Sequence, residues 1–380
     1  MDFSIDPEQR ALLDSIDRMM ATHLPPEEVR RRDEAHEPPD FLLKEYAKLG
    51  LLAIPFPEEY GGLGGSWMTV ALANERLGYH AAMAASIFGT TLGFGGMSIL
   101  TYGSEAQKRS LLPRVINGEL RFALGLTEPG AGTDAGAMIT RAERVKGGWK
   151  VTGRKTWISN ARTSNYIVTA CRSEAGSQGG RGISMLMVEP DSPGVHMTQL
   201  KKVGNNCLTS WDIAYDGVFV PEENLLGQEG GGFRHLMSTL QFSRSGQASS
   251  ATGQSQRAVD LVIAHVKERV QFGRTLSSFQ TVQHRLADMQ TRVDTTRMML
   301  YRLAWLVDQN ERCRKEAAQA KMLASECLQY VTDHGMQMLG SFGYSMEGDM
   351  QRLWRDSRLY TFGEGANEIQ RELIAREMGL

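Results

Sequence analysis

Glu364 is the residue whose chemical type and setting best suit proton abstraction. It lies between Gly363 and Gly365, just before a segment that we predict to be helical. Such a position lets a carboxylate move and lose its water, and desolvation raises the pKa of a carboxyl group toward the range that a general base needs. A lone glutamate in a loop is usually solvated, so this segment alone does not define an active site.

Two segments in the middle of the chain could hold a planar ligand. Residues 126–134 contain Gly130 and Gly132, so backbone N–H groups could approach an electron-rich ligand closely, although a structural turn is the simpler explanation. Trp157 and Ser159 alternate with apolar residues and therefore share one face of a predicted strand. A flat ring beside a hydroxyl suits a heteroaromatic ligand, and a buried structural tryptophan explains the pattern equally well.

Two further segments follow predicted long helices. Arg269 precedes Phe272 by three residues, a pair that could bind phosphate or stack on adenine. A helix that ends on Arg269, with Gly273 as its terminating glycine, explains the same residues. Residues 337–343 form a glycine-containing loop that could approach a ligand or simply stop a helix.

The elements that must position these residues fall into three zones. Residues 1–122 are predicted to be helical, with helices near 8–20, 41–49 and 69–77. Residues 123–232 carry short β-type runs, typical of an antiparallel barrel or sandwich, at 149–151, 166–169, 183–188, 211–215 and 218–220. Residues 233–380 carry two long apolar stripes that indicate a bundle. We expect a cofactor site where the β zone meets the bundle.

Composition limits the class of protein. The 380 residues include 42 Lys and Arg against 44 Asp and Glu, so no basic excess indicates a nucleic-acid partner. No apolar run approaches the roughly 20 residues of a membrane span, and the N-terminal segment lacks signal and transit features. The four cysteines are widely spaced, which predicts reduced thiols, no metal site and a cytoplasmic protein.

Taken together, in this order and at these separations, the five segments resemble the acyl-CoA dehydrogenase family over essentially the whole chain. Less specific markers also match, at residues 102–105, 112–113, 118–119, 220–221 and 227–233. The resemblance implies an α+β fold with an N-terminal α-helical domain (1–122), a central β-barrel or sandwich domain (123–232) and a C-terminal four-helix bundle (233–380). It also implies lipid metabolism and non-covalently bound FAD in a homotetramer, a dimer of dimers.

The resemblance also assigns roles by motif. The flavin is expected to contact Leu126, Thr127, Gly132, Thr133, Trp157 and Ser159, with Thr133 also reaching the substrate side. The FAD of a neighbouring subunit is expected to contact Arg269, Phe272, Gln337 and Gly340. Glu364 falls on the base position of the short- and medium-chain type, where it removes the α-proton while the β-hydrogen leaves as hydride to the flavin. The electron acceptor usual in the family is an electron-transfer flavoprotein.

Some members carry the base on the long helix, directly before the arginine matched here by Arg244. Ser243 stands there, so Glu364 is the only candidate at either position. Arg244 is expected near the thioester, Gly365 and Gln241 on the substrate side, and Ala366 and Glu368 at the cofactor. The pocket floor is expected near 88–92 and 236–241, where Phe88 could shorten it or belong to the core.

Several positions depart from the family pattern. Gly363 replaces a frequent Tyr, Ala366 a frequent Thr, and Gln241 an Asp that some members carry. These changes favour a branched, cyclic or polar acyl group, or a carrier-protein thioester, over a straight-chain fatty acyl-CoA. Ser341 replaces the second glycine of a Gly-Gly pair, which could shift the loop locally at the adenosine end of FAD. Flavin monooxygenases and nitroalkane oxidases share the fold, but Glu364 disfavours both. A degenerate FAD-binding subunit paired with an active partner is the non-enzymatic alternative.

Overall fold

The computed structural model describes residues 5–380. Within that range the first zone contains seven α-helices, which include the three predicted ones. Their bounds are α1 Pro7–His23, α2 Pro26–Ala35, α3 Leu42–Lys48, α4 Trp67–His80, α5 Ala82–Thr90, α6 Met97–Tyr102 and α7 Glu105–Ile116.

Local sequence explains where α1 and α7 begin. Asp6 Oδ1 accepts a hydrogen bond from the backbone N–H of Gln9 at 2.7 Å, and Gln9 Oε1 accepts one from the N–H of Asp6 at 3.3 Å. Ser104 and Gln107 repeat this reciprocal arrangement at the start of α7. Each pair satisfies N–H groups that have no partner inside the helix, and so fixes the first turn.

A continuous apolar helix contradicts the expectation that no apolar run approaches the length of a membrane span. It runs over Ala82–Tyr102, 21 residues, and includes a π-helical stretch at Thr91–Gly96. By length and composition it could cross a bilayer, yet most of it is buried inside the protein. A Cβ at Gly95 would lie 2.0 Å from Phe122 Cδ2, so this segment packs directly on the β zone.

The second zone is one eight-stranded sheet. Its strands are β1 Phe122–Gly125, β2 Arg141–Val145, β3 Gly148–Ser159, β4 Tyr166–Arg172, β5 Ile183–Val188, β6 Val195–Leu200, β7 Ser210–Pro221 and β8 Leu225–Leu226. The order is β6–β7–β3–β2–β4–β5–β8, and β1 pairs with β4. The pairs of β4 with β1 and with β2 are parallel and the others are antiparallel.

The prediction of two separate strands at 211–215 and 218–220 is wrong, because β7 is continuous. Val151 pairs with Val218 and Gly153 pairs with Tyr215, so β7 carries one extra residue there. Gly217 has a φ of +64°, which glycine adopts without steric cost. The Asp-Gly sequence that resembles a turn is therefore a β-bulge within a strand.

The third zone is built on three long helices: α8 Gly232–Glu268, α9 Gln280–Asp308 and α10 Arg314–Leu339. A short hairpin of β9 Val270–Gln271 and β10 Arg274–Thr275 joins α8 to α9. Three shorter helices complete the zone: α11 Ser341–Tyr344, α12 Met350–Ser357 and α13 Asn367–Glu377.

The predicted apolar stripes of α9 and α10 are largely buried, and α4 of the first zone packs tightly on α8. A Cβ at Gly253 would lie 2.0 Å from the carbonyl oxygen of Glu75, and one at Gly78 would lie 2.6 Å from that of Ser250. Glycine on both helices permits this backbone approach, which ties the first zone to the bundle.

Candidate active site

Glu364 lies in the turn between the 3-10 helix Arg358–Thr361 and α13. Its φ of +55° places it in the left-handed region, which is uncommon for a residue with a side chain and costs about 1–3 kcal/mol. Its carboxylate accepts a hydrogen bond from the hydroxyl of Ser243 on α8. The carboxylate is therefore held against the bundle. The structure contradicts the alternative that Glu364 is a solvated acid in a loop.

The turn is anchored on both sides of Glu364. Before it, the hydroxyl of buried Tyr360 accepts a hydrogen bond from Gln254 Nε2 at 2.7 Å. After it, Lys321 Nζ donates to the carbonyl oxygen of Gly365 at 2.8 Å and to Asn367 Oδ1 at 3.1 Å. These contacts join the turn to both α8 and α10, so the position of the carboxylate is fixed by two helices.

Burial is the main determinant of the basicity of Glu364, and the neighbouring groups oppose its effect. Burial raises its pKa above the ordinary value of 4.5, and Ser243, Arg244 and Lys321 oppose that rise without cancelling it. Burial also lowers the pKa of Arg244, and it lowers that of Lys321 to about 8. The carboxylate is thus a stronger base than a solvated glutamate, with two cationic side chains nearby.

Trp157 occupies a β-bulge near the end of β3. Lys155 pairs with Ile213 and Ile158 pairs with Trp211, so β3 has one extra residue here. The bulge gives Trp157 a φ of +61° and leaves 56% of its surface exposed. Ser159 is also exposed. The alternative of a buried structural tryptophan is therefore wrong, and a flat ring and a hydroxyl are both open to a ligand.

Residues 126–128 are bonded to this bulge. The N–H of Thr156 donates to the carbonyl oxygen of Thr127 at 2.8 Å, and Lys155 Nζ donates to that of Leu126 at 3.0 Å. Lys155 also forms a buried ion pair with Glu128 at 2.8 Å. Leu126 and Thr127 are thus brought beside Trp157, while Gly132 and Thr133 lie exposed farther along the loop.

Glu128 orders the rest of that loop, a role that sequence reasoning missed. Its carboxylate accepts hydrogen bonds from the N–H groups of Ile139 at 2.7 Å and Thr140 at 2.9 Å. Burial alone would raise its pKa, but Lys155 and the N–H of Ile139 hold it below 4.5. The ionised carboxylate closes the loop between β1 and β2.

The end of the sheet that carries Ser159 adjoins the bundle. Ser159 pairs with Ser210, which in turn pairs with Leu200, so the loop between β6 and β7 leaves the sheet at this point. In that loop the N–H of Asn205 donates to Asp356 Oδ1 on α12 at 2.5 Å. Since α12 leads through the 3-10 helix Arg358–Thr361 into the turn of Glu364, the β zone contacts the segment that precedes this turn.

Arg269 and Phe272 lie at the far end of α8. The helix ends at Glu268, and Phe272 and Gly273 form the two-residue turn of the β9–β10 hairpin with φ values of +53° and +75°. Positive φ at both positions is the signature of a type I′ turn. The alternative of Gly273 as a helix-terminating glycine is therefore wrong. Phe272 projects from the hairpin with 94% of its surface exposed.

The loop that follows α10 lies at the same end of the bundle. Gln337 and Gly340 are exposed, and Gly340 has a φ of +61°. The Phe342 ring, just beyond, stacks on His265 near the end of α8 with ring centroids 6.1 Å apart. This end is about 39 Å along α8 from Ser243, so these residues do not join the Glu364 cluster.

The remaining predicted residues lie on α5, on α8 and at the start of α13. Arg244 is buried on α8, and its Nε has no hydrogen-bond partner among the described residues. Gln241 is partly buried and faces Cys313. Ala366 is the N-cap residue of α13, and Glu368 is exposed in the first turn of that helix. Phe88 is fully buried against Tyr46, ring centroids 5.8 Å apart.

No cluster of three or more His, Cys, Asp or Glu residues suited to a metal ion occurs within residues 5–380. The four cysteines are buried and free.

Lys321 is a second residue that sequence reasoning missed. It is only 1% exposed, yet it lies among the alanines of the α10 stripe, Ala317, Ala320 and Ala324. A lysine within an apolar stripe is a detectable signal, because a buried ammonium requires partners. Its partner, the carbonyl of Gly365, carries no sequence signal of its own.

The arrangement suits a flat redox cofactor and an acidic C–H substrate. The bulge presents an exposed indole and a hydroxyl on one face, which fits a flavin ring, and a desolvated carboxylate lies at the adjoining end of the bundle. These features fit the flavin-dependent dehydrogenase that the sequence predicts.

Comparisons with known protein sequences support the same class of enzyme. Models of the acyl-CoA dehydrogenase N-terminal, middle and C-terminal domains match residues 6–119, 123–218 and 230–379. The probable acyl-CoA dehydrogenase YngJ of Bacillus subtilis is 36% identical over 379 residues, 100% of each chain. The caffeyl-CoA reductase-Etf complex subunit CarC of Acetobacterium woodii is 35% identical over 345 residues, 90% of this chain and 90% of CarC.

Solved structures show the same fold. Butyryl-CoA dehydrogenase from Megasphaera elsdenii superposes with a TM-score of 0.94 at 30% identity, covering 100% of both chains. PigA with FAD and proline superposes with a TM-score of 0.94 at 26% identity, again over 100% of both chains. The chain therefore belongs to the acyl-CoA dehydrogenase family. Its cofactor is FAD, and its reaction is the dehydrogenation of an acyl-CoA.

Proposed function

We propose that Glu364 is the catalytic base that removes the α-proton of the acyl thioester. The observation that carries this role is the desolvated carboxylate, whose pKa lies above 4.5 because burial outweighs the opposing neighbours. A more basic carboxylate takes a weakly acidic proton more readily. Bound FAD supplies the acceptor for the β-hydrogen. Ser243, at the other family position for the base, donates its hydrogen bond to Glu364 and so supports the carboxylate.

The substrate is proposed to lie between α8 and the turn of Glu364. Arg244 is assigned to the thioester and its pantetheine arm, because its buried Nε lacks a partner among the described residues. Glu364 is bonded to Ser243 on α8, and a backbone N–H of its turn is proposed to polarise the thioester carbonyl. Gln241 and Thr133 are proposed to line the substrate side.

The flavin is proposed to rest on the bulge of β3. Trp157 would pack on the ring system and Ser159 would donate a hydrogen bond near flavin N5. The exposed indole and the bonds of Leu126 and Thr127 to the bulge support this assignment. The other residues proposed to contact the cofactor are Gly132, Thr133, Ala366 and Glu368.

A second group of cofactor residues is proposed to serve the FAD of a neighbouring subunit in a homotetramer, a dimer of dimers. Arg269, Phe272, Gln337 and Gly340 are exposed at one end of the bundle, about 39 Å along α8 from Ser243. A phenylalanine with 94% of its surface in water is costly to leave uncovered, which supports burial against another subunit.

The substrate is proposed to carry a branched, cyclic or polar acyl group, because Gly363, Ala366 and Gln241 depart from the Tyr, Thr and Asp found at these positions in many members of the family. A carrier-protein thioester is the alternative. An electron-transfer flavoprotein is proposed as the acceptor, and the similarity to CarC, named as a subunit of an Etf complex, supports it. We also propose a cytoplasmic location and the division into domains 1–122, 123–232 and 233–380.

The test is an anaerobic titration of the holoenzyme with a panel of saturated acyl-CoAs, following flavin bleaching. One thioester should bleach the wild type and fail to bleach Glu364→Gln. Glu347→Gln, an exposed matched control, should behave as wild type. Bleaching by no acyl-CoA would contradict the CoA substrate and favour a carrier-protein thioester. Bleaching that survives in Glu364→Gln would contradict the role of the base.

A further inference from the structure

The loop between β6 and β7 is held on α12 by close contacts. The N–H of Asn205 donates to Asp356 Oδ1 at 2.5 Å, and Asn205 Nδ2 donates to the carbonyl oxygen of the same residue at 3.3 Å. Arg355 Nη1 donates to the carbonyl oxygen of Val203 at 3.0 Å. A Cβ added at Gly204 would lie 2.7 Å from the carbonyl carbon and oxygen of Arg355, so the two backbones touch. We call this contact between the loop and α12 the loop–helix joint.

The loop–helix joint is buried and is tied to further elements. Asn205 and Asp356 are only 5% and 4% exposed. Lys202 Nζ donates to two carbonyl oxygens of the loop, which fixes its shape. Arg355 Nη2 donates to Asp33 Oδ2 on α2 at 2.7 Å. A displacement of α12 at the joint would leave buried polar groups without partners, so the joint strongly favours one arrangement.

On one side, the loop–helix joint connects to the end of β3 that carries Ser159. Ser159 pairs with Ser210, the first residue of β7 after the loop. The N–H of Asn160 donates to the carbonyl oxygen of Thr209 at 2.7 Å. Only a few residues therefore separate Asn205 from the strand end on which the flavin is proposed to lie.

On the other side, a continuous helical rod connects the joint to the turn of Glu364. The helix α12 Met350–Ser357 passes directly into the 3-10 helix Arg358–Thr361, and the backbone stays right-handed helical at the junction. Burial raises the pKa of Tyr360 in this rod to about 12, and the charges of Asp356 and Glu364 both add to the rise. Tyr360 thus lies within electrostatic reach of both carboxylates. A shift of α12 at the joint would therefore move the segment that supports Glu364.

We propose that the loop–helix joint sets the position of Glu364 relative to the flavin-binding end of β3, with Gly204 and Asp356 as its positioning residues. The inference rests on the proposed function and deepens it, because it names what holds the base in register with the flavin. Base and flavin site belong to different zones, so proton removal and hydride transfer are aligned only while the two zones keep one relative position. A misplacement of about 1 Å can slow an enzymatic reaction by about a hundredfold.

The experiment introduces a wedge into the joint of the FAD-loaded enzyme. Gly204→Ala places a methyl group against the backbone of Arg355, and the φ of Gly204 lies outside the left-handed region, so alanine fits the loop backbone itself. The substrate is the acyl-CoA of the panel that bleaches the wild-type flavin fastest. Flavin reduction in a single turnover should slow by about tenfold to a hundredfold, while KM and FAD content stay near wild type. The isotope effect of the α-dideuterated thioester should rise, because proton removal by a displaced base limits the rate more.

A second pair of variants and a control accompany the wedge. Asp356→Ala removes the acceptor for the N–H of Asn205 and should reproduce the loss, whereas Asp356→Asn retains an acceptor and should recover part of the rate. Gly103→Ala is the matched wedge at the corner between α6 and α7, where a Cβ would lie 2.5 Å from the carbonyl oxygen of Ile99. It should lower the thermal stability but leave the rate of flavin reduction and the isotope effect near wild type.

The outcomes separate this inference from the proposed function. If Gly204→Ala and Asp356→Ala reduce the flavin at the wild-type rate while Glu364→Gln does not, the joint has no positioning role and the base remains. If Gly103→Ala slows reduction as much as Gly204→Ala, the loss reflects general destabilisation, which also overturns the inference. If bleaching survives in Glu364→Gln, the proposed function and the inference fall together. Should Gly204→Ala fail to fold, the comparison of Asp356→Ala with Asp356→Asn makes the same test.

Discussion

Lys321 Nζ donates to the carbonyl oxygen of Gly365 at 2.8 Å, so a buried ammonium on α10 fixes the residue directly after Glu364. Gln370 Nε2 donates to the same oxygen at 3.0 Å. The left-handed turn that presents the carboxylate is thereby held from two helices. Lys321, which is only 1% exposed, thus contributes both to the position of the proposed base and to its pKa, which it lowers.

Replacing Lys321 with Met should lower kcat by roughly tenfold to a hundredfold, because a displaced base loses its alignment with the α-proton. Lys321 also lowers the pKa of Glu364, so its removal should move the acid limb of the pH profile to higher pH. A pH series of kcat/KM measures both effects. Lys321→Arg should keep the acid limb near that of wild type, and exposed Lys146→Met is the control. An unchanged profile in Lys321→Met would contradict the coupling.

Ser243→Ala should also raise the pKa of Glu364, since the hydroxyl hydrogen bond lowers it. The base works in its deprotonated form, so the loss of activity should be larger at low pH than at high pH. The measurement is the ratio of flavin reduction rates at two pH values. Ser249→Ala removes a hydroxyl that bonds only to the helix backbone at Ser245, and its ratio should match wild type. A ratio unchanged in Ser243→Ala would show that the hydroxyl does not tune the base.

The sequence predicted roles for Glu364, Trp157 and Arg269 because their motifs together resemble the family, and these roles stay predictions. It did not identify the ion pair of Glu128 with Lys155, since these residues are 27 positions apart and meet only when β3 returns beside the loop after β1. The sequence also did not predict the extra residue at Trp157, because a β-bulge depends on how β3 pairs with β7 and not on the sequence of β3 alone.

Breaking the Glu128–Lys155 pair should destabilise the β zone. Lys155→Met leaves the buried Glu128 carboxylate without its cationic partner, which costs about 3–5 kcal/mol. The loop should lose its order, and FAD binding should be lost with it. The double variant Lys155→Met/Glu128→Gln should recover part of the loss. Thermal unfolding and flavin retention measure both variants. A single variant as stable as wild type would contradict a structural role for the pair.

The same pair predicts a direction for acid sensitivity. The folded pKa of Glu128 lies below its ordinary 4.5, so its contribution to stability is complete above pH 4.5 and is lost as the pH falls through the folded pKa. Wild-type stability should therefore decline at acidic pH more steeply than that of the double variant. Parallel declines would contradict this contribution.

Phe272→Asn should weaken FAD binding and assembly without unfolding the subunit. Asparagine tolerates the left-handed backbone of the hairpin turn, and the ring it replaces is 94% exposed. Size-exclusion chromatography with flavin quantification is the measurement. Phe219→Ala on β7 is the matched control, because it also removes an exposed phenylalanine ring; that side chain is 52% exposed. A Phe272→Asn tetramer that retains FAD would remove the support for an inter-subunit contact.

The most direct test of the central claim is the rate of flavin reduction in a single turnover, measured by stopped flow with the best thioester. Glu364→Gln keeps the size of the side chain but cannot accept the α-proton, so reduction should slow by about a hundredfold to ten-thousandfold, while Glu347→Gln stays near wild type. Equal FAD content in the three proteins shows that the difference is chemical. A Glu364→Gln rate within a few-fold of wild type would contradict Glu364 as the base.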